Sequence, residues 1–144
     1  GNEHPLTVPT GVFKTADGYL NVAAIGQTMW KRLCEALEVP ELVDDPDFAD
    51  GRARVVHRDR VNAAVGAAFA RRSTAEWTER LLKAGVPCGP IHRVDQVIDD
   101  PQVRHLGMAW PVDLPGRGAV SLVRTPFSLS AHAEPQPPRP APHQ

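Results

Sequence analysis

Apolar positions alternate at the start of the chain, recur at helical spacing through its middle, and alternate again near its end. Gly11-Val12-Phe13-Lys14 and Tyr19-Leu20-Asn21-Val22-Ala23-Ala24 flank Thr15-Ala16-Asp17-Gly18. Asp-Gly between short alternating runs predicts a hairpin over 11–14 and 19–25, with Gly18 supplying the positive φ of its turn. Met29, Trp30, Leu33, Cys34 and Leu37 then recur every three or four residues, with Lys31, Arg32 and Glu35 between them. That spacing predicts an amphipathic helix over 27–38, ended by Pro40. Asp45 before Pro46 predicts a capped single turn.

A longer stripe follows over 52–71. Ala53, Val56, Val61, Ala64, Val65, Ala68 and Phe69 form it, and Arg54, Arg58 and Asp59 are placed off it. One long helix is expected. Ser73-Thr74-Ala75-Glu76 has the capping-box spacing, Trp77, Leu81 and Leu82 follow at helical spacing, and Gly85 closes a helix over 74–84. Val86-Pro87-Cys88-Gly89-Pro90 cannot continue it and is expected to be a rigid connection. Short helices are predicted near 93–99 and from Asp100-Pro101 to Gly107. Ala109–Leu114 and Ala119–Val123 flank Pro115-Gly116-Arg117-Gly118 and predict a second hairpin. Thr125 to Ser130 alternates weakly, as an edge segment would.

Strands therefore stand at both ends of the chain and helices between them. The expected fold is α+β: a small antiparallel sheet from the terminal hairpins, with about five helices between them. Five of the eight residues from Pro135 to Pro142 are proline, so the folded unit is expected over 1–131, with 132–144 as a Pro-rich linker or tail.

Composition narrows the possible functions. The 144 residues suffice for one domain, and 42% hydrophobic residues suffice for one core. Sixteen basic against 17 acidic residues leave a net charge of -1. No basic excess points to nucleic acid or an anionic membrane, and no apolar run reaches the roughly 20 residues of a membrane span. Two cysteines, Cys34 and Cys88, are too few for a disulfide scaffold, so free thiols in a cytoplasmic setting are expected. The chain opens on Gly1 rather than Met, as a fragment or processed product would.

The residues offer little self-contained chemistry. There is no phosphate-loop or dinucleotide fingerprint. The six histidines and two cysteines lack metal-ligand spacing, so no metal site is expected. Cys88 follows a helix C-terminus, where the dipole disfavours a thiolate, and it reads as a small packed residue rather than a nucleophile. Asp44-Asp45 and Asp99-Asp100 each precede a proline, which suits capping better than acid-base work. No catalytic residue is assigned.

A family resemblance supplies what these patterns do not. It is carried by Gly11-Val12-Phe13-Lys14-Thr15-Ala16-Asp17-Gly18-Tyr19, Trp30-x-x-Leu33-Cys34, Asp45-Pro46-Asp47-Phe48 and Glu76-Trp77. Gly85-Val86-Pro87-Cys88-Gly89-Pro90-Ile91, then Val94, Asp95, Val97 and Asp100-Pro101-Gln102-Val103, complete it. In this order the set resembles the family III CoA-transferases, the formyl-CoA and carnitine-CoA transferase group, over about residues 1–130. Such enzymes are much longer, with a large Rossmann-like domain built from both chain ends and a smaller domain between. This chain resembles the smaller, substrate-capping domain alone.

The resemblance implies acyl transfer between CoA thiols. An aspartate of the large domain attacks the thioester to give a mixed anhydride. CoA thiolate then attacks to give an aspartyl-CoA thioester, and the acceptor acid completes the exchange. That aspartate has no counterpart in this chain, so the isolated chain is expected to be inactive. The CoA thioester is a substrate, and no tightly bound cofactor is implied. The implied partners are the large domain of the same enzyme and a second subunit in a linked dimer.

In the formyl-CoA branch a glycine-rich loop opening the small domain folds over the thioester. The corresponding substrate-binding residues are Gly1, Asn2, Glu3 and His4. Glu3-His4-Pro5 departs from the glycines, which argues against formyl-CoA and oxalate specificity. The related α-methylacyl-CoA racemases carry a glutamate where this chain has Gly26 in Ala24-Ile25-Gly26-Gln27-Thr28-Met29, and they lack Cys88-Gly89-Pro90. Both features favour a transferase. The other alternative is a free-standing, non-catalytic binding module.

Overall fold

The computed structural model describes residues 2–127, 130 and 131. It divides into two compact units, Gly1–Ile91 and His92–Gln144. The first unit begins with the predicted hairpin, β1 (Thr10–Lys14) and β2 (Tyr19–Ala23), paired antiparallel with Phe13 opposite Leu20 and Gly11 opposite Val22. The residues alternate as a half-buried strand requires: Phe13, Leu20 and Val22 face inward, and Lys14, Tyr19 and Asn21 face water. The turn works differently from the expectation. Gly18 has no positive φ. Glycine suits the position for a different reason: a Cβ would stand 3.0 Å from the Thr74 hydroxyl, a close approach that glycine relieves.

Helix α1 (Gly26–Ala36) buries Trp30, Leu33 and Cys34. It stops before Pro40 can act: Glu38 takes a left-handed φ of 60°, and Val39 N–H returns to the Cys34 carbonyl. A short helix α2 (Glu41–Asp44) starts at Pro40, and the single turn Pro46–Phe48 follows, with the Asp45 carboxylate accepting from Asp47 N–H as expected.

The expected long helix is two segments, α3 (Gly51–Val56) and α4 (Arg58–Phe69), separated at His57 (φ −101°, ψ 30°). The inward stripe also differs from the one read in the sequence. Val61, Val65, Ala68 and Phe69 are buried as expected, but Val56 is 73% exposed and Arg54 only 1% exposed. Extended backward from Val65 and Val61, the 3.6-residue ladder lands on Arg58 and Arg54. Two arginines occupy the inward positions of the helical face, and the side-chain chemistry hid the period.

Helix α5 (Thr74–Lys83) has the complete capping box, Ser73 serving Glu76 N–H and Glu76 reaching back to Ser73 N–H. Gly85 (φ +71°) ends it. The segment expected as a rigid connection is then a third strand, β3 (Cys88–Pro90), antiparallel to β2 with Cys88 opposite Val22. The core of this unit lies between the three-stranded sheet and α1, α4 and α5. Phe13 stacks on Phe69 at 5.2 Å, Phe69 meets Trp77 edge-on at 5.5 Å, and Trp77 Nε1 donates to the Phe69 carbonyl at 2.8 Å. Trp30 meets Phe48 edge-on at 6.3 Å.

The second unit contains α6 (Val94–Val97), α7 (Pro101–His105) and the predicted hairpin, β4 (Ala109–Leu114) with β5 (Gly118–Val123). Asp100 caps α7 by accepting from Gln102 and Val103 N–H. Gly116 and Gly118 carry the positive φ of the hairpin turn. Among the described residues of this unit, Val112 is the one buried hydrophobic side chain. The α+β class is as expected, and the two hairpins lie in separate sheets, β1-β2-β3 and β4-β5. Residues 125–127 form no strand. Residues 128 and 129 of the expected edge segment, and the expected tail 132–144, lie outside the described residues.

Candidate functional site

Of the four residues singled out for substrate contact, Gly1 lies outside the described residues. Asn2, Glu3 and His4 form one structure with β1 and α4. The chain doubles back on β1: Glu3 bridges antiparallel to Gly11, and His4 N–H donates to the Thr10 carbonyl at 3.0 Å. A Cβ at Gly11 would stand 2.6 Å from the Asn2 carbonyl oxygen, so this backbone-to-backbone approach requires glycine. His4 Nδ1 accepts from the N–H groups of Leu6 and Thr7, each at 3.2 Å, and closes the segment on itself.

From α4, two side chains one helical turn apart hold this strap. Arg58 donates to the carbonyls of His4 and Pro5, both at 2.8 Å, and lies 3.8 Å from the Glu3 carboxylate. Asn62 Nδ2 donates to Glu3 Oε1 at 2.9 Å. A shallow cavity of about 200 Å³ opens beside the strap, lined by Glu3, Lys14, Asn62 and the residues of β1.

Behind the strap, Arg54 fixes the segment that follows it. Its Nε donates to the Val8 carbonyl at 3.0 Å, and its NH1 to the Phe48 carbonyl and Gln27 Oε1, each at 2.9 Å. The guanidinium lies over Trp30, 5.0 Å from the ring centre. Burial lowers its pKa, but a guanidinium titrates so high that it stays charged. Arg54, Arg58 and Asn62 were not among the residues singled out by the sequence. The helical period run backward from Val65 and Val61 reaches Arg58 and Arg54, whereas no sequence signal marks Asn62.

The unit's carboxylates with lowered pKa values serve the fold. Asp17 sits in the first hairpin turn and accepts from Thr74 N–H at 2.7 Å, Thr74 Oγ1 at 2.9 Å and Thr15 Oγ1 at 3.3 Å. The Thr74 amide is the largest cause of its lowered pKa. Glu76 is held low first by the Ser73 hydroxyl, Asp50 first by the Ala53 amide, and Glu38 first by Arg80 and then Arg72. Such groups are committed anions in caps and exposed ion pairs.

The thiols point the same way. Burial pushes the Cys34 pKa up to about 12 and raises that of half-buried Cys88, whose Sγ donates to the Thr78 carbonyl at 3.9 Å. Neither is activated as a nucleophile. Among the described residues no group of three His, Cys, Asp or Glu side chains is placed to hold a metal ion, and no helix is long and apolar enough to cross a membrane.

Comparison with known proteins gives one consistent result. The family described as CoA-transferase family III matches residues 1–144. The succinyl-CoA:glutarate CoA-transferase of Mus musculus is 34% identical over 122 residues, which is 85% of this chain and 28% of that protein. The succinate–glutarate CoA-transferase of Agrobacterium fabrum is 33% identical over 135 residues, 90% of this chain and 32% of that protein. A solved CaiB/BaiF family protein from Brucella suis superposes with a TM-score of 0.80 at 33% identity, covering 90% of this chain and 33% of that one. The chain thus spans about a third or less of the length of the relatives it matches.

Proposed function

This chain belongs to CoA-transferase family III, and from that premise we propose that it is the substrate-capping small domain of an acyl-CoA:carboxylate CoA-transferase. In this reading residues 1–131 are the domain and 132–144 a linker returning to a large domain. That large domain, absent from this chain, carries the nucleophilic aspartate. The observation that carries the reading is the partial match: the chain accounts for 28% and 32% of the two curated relatives.

Gly1, Asn2, Glu3 and His4 form the loop that covers the reacting thioester, and the strap geometry of residues 2–4 suits a segment held over a neighbouring surface. The CoA thioester is substrate rather than resident cofactor. The relatives' names, which pair succinyl-CoA or succinate with glutarate, make dicarboxylic acids the acceptor class to test first. The partners are the large domain and a second subunit in a linked dimer. Neither nucleic acid nor membrane takes part, and the setting is the cytoplasm.

The test is a transfer assay on the purified 144-residue chain. Incubated with succinyl-CoA and glutarate, it is expected to give no CoA exchange and no acyl or CoA adduct by intact mass. Robust turnover, or a stoichiometric adduct on any of its carboxylates, would contradict the reading.

A further inference from the structure

We infer that Arg58 is the positioning residue of the strap, and that its forked grip on two successive carbonyls, rather than its charge, sets where Asn2, Glu3 and His4 lie. The inference rests on the capping role proposed for those residues and adds a device that the family match does not assign. Residues 2–7 have little else to hold them. Leu6 is 76% exposed, and Asn2, Glu3, His4 and Pro5 are all exposed, so burial does not fix the segment. What fixes it is polar: the Glu3–Gly11 bridge, the His4 N–H bond to Thr10, the His4 Nδ1 acceptor closing on Leu6 and Thr7 N–H within the segment, and the two side chains of α4.

Among these, Arg58 is the group that ties the far side of the bend to α4. Its side chain is 21% exposed, and its two 2.8 Å bonds reach the consecutive carbonyls of His4 and Pro5. A planar guanidinium can serve two adjacent carbonyls at once in one fixed geometry. An ammonium on the same stem can satisfy one at a time and leaves the peptide plane free to turn. Glu3, 3.8 Å from Arg58 and bonded to Asn62, adds attraction without fixing direction. The arrangement matches what a positioning residue must do: hold a loop to within a fraction of an ångström without touching the reacting atoms itself.

The test uses the full-length enzyme that contains this domain, with Arg58→Ala, Arg58→Lys and Asn62→Ala. One readout is amide hydrogen exchange at His4, Leu6 and Thr7; the other is kcat and KM for the acyl-CoA. Arg58→Ala is expected to speed exchange at these amides about tenfold or more. It should lower kcat by about 10- to 100-fold with KM changed less than about threefold, because a displaced loop costs orientation rather than affinity. Arg58→Lys should recover less than half of the lost protection, on the fork argument. Asn62→Ala should loosen His4 alone and only slightly.

Unchanged exchange in Arg58→Ala overturns the inference, whatever the activity does. So does full recovery by lysine, since charge alone would then suffice. Faster exchange with wild-type kcat and KM overturns the capping role instead and leaves the anchoring intact. If Arg58→Ala does not fold, the lysine and Asn62 variants carry the same comparison.

Discussion

The two units of this chain are built on opposite terms. In the Gly1–Ile91 unit, side chains from a three-stranded sheet and three helices bury one another: Leu20, Val22, Trp30, Leu33, Leu37, Val61, Val65, Phe69, Trp77 and Leu81 are all fully shielded. Each such side chain contributes about 1.5–3 kcal/mol by leaving water. In the second unit only Val112 among the described hydrophobic residues is buried, while Val94, Leu106, Val123 and Phe127 are more than half exposed. A two-stranded hairpin with two short helices and one buried valine is marginal by itself. The contrast teaches that sequence pattern and self-sufficiency are separate matters. Both hairpins follow the same alternating code, and in the first unit α4 packs on β1 and α5 on β2 and β3.

The largest expected effect comes from the one charge inside the first unit's core. Arg54→Met keeps the stem's volume but leaves the Val8 and Phe48 carbonyls without their donor. It should destabilise the chain by about 2–5 kcal/mol in urea unfolding. A loss below about 0.5 kcal/mol, the range of an ordinary surface substitution, would mean that Arg54 does not organise this core.

A smaller effect is expected from acid. Asp17, Glu38, Asp50 and Glu76 all lie in the first unit with pKa values lowered in the fold. A lowered folded-state pKa means that the unfolded chain binds protons first as pH falls. The stabilisation is therefore complete above the unfolded carboxylate range, about pH 4–4.5, and is lost as pH drops through the folded values. Urea midpoints should stay level from pH 7 to about 5 and fall below about 4, and Asp17→Asn should make that acid limb shallower. An acid limb identical in Asp17→Asn and the parent would show that the Thr15–Asp17–Thr74 contacts add nothing.

Much of this fold is legible in the sequence because its signals are local. The Asp45 and Asp100 caps, the Ser73–Glu76 box, the terminal glycine of α5 and both hairpins depend on residues a few positions apart. What was hidden depends on long-range partners. Arg54 and Arg58 look like surface residues until the carbonyls of Val8, Phe48, His4 and Pro5 arrive from segments distant in sequence. Cys88–Pro90 looks like a connector until β2 offers its free edge. Gly18 looks like a turn glycine until Thr74 packs against it. The candidate site divides the same way: Gly1 to His4 come from family resemblance, while the holding roles of Gly11, Arg58 and Asn62 depend on partners that only the fold brings near.

The most direct test of this account is residue-resolved amide exchange on the 144-residue chain. The account predicts that amides of β1, β2, α1, α4 and α5 exchange only through global unfolding, whereas those of α6, α7 and the β4–β5 hairpin exchange orders of magnitude faster under the same conditions. Equal protection in both units would contradict it, because the second unit would then possess a stability that its single buried valine cannot supply.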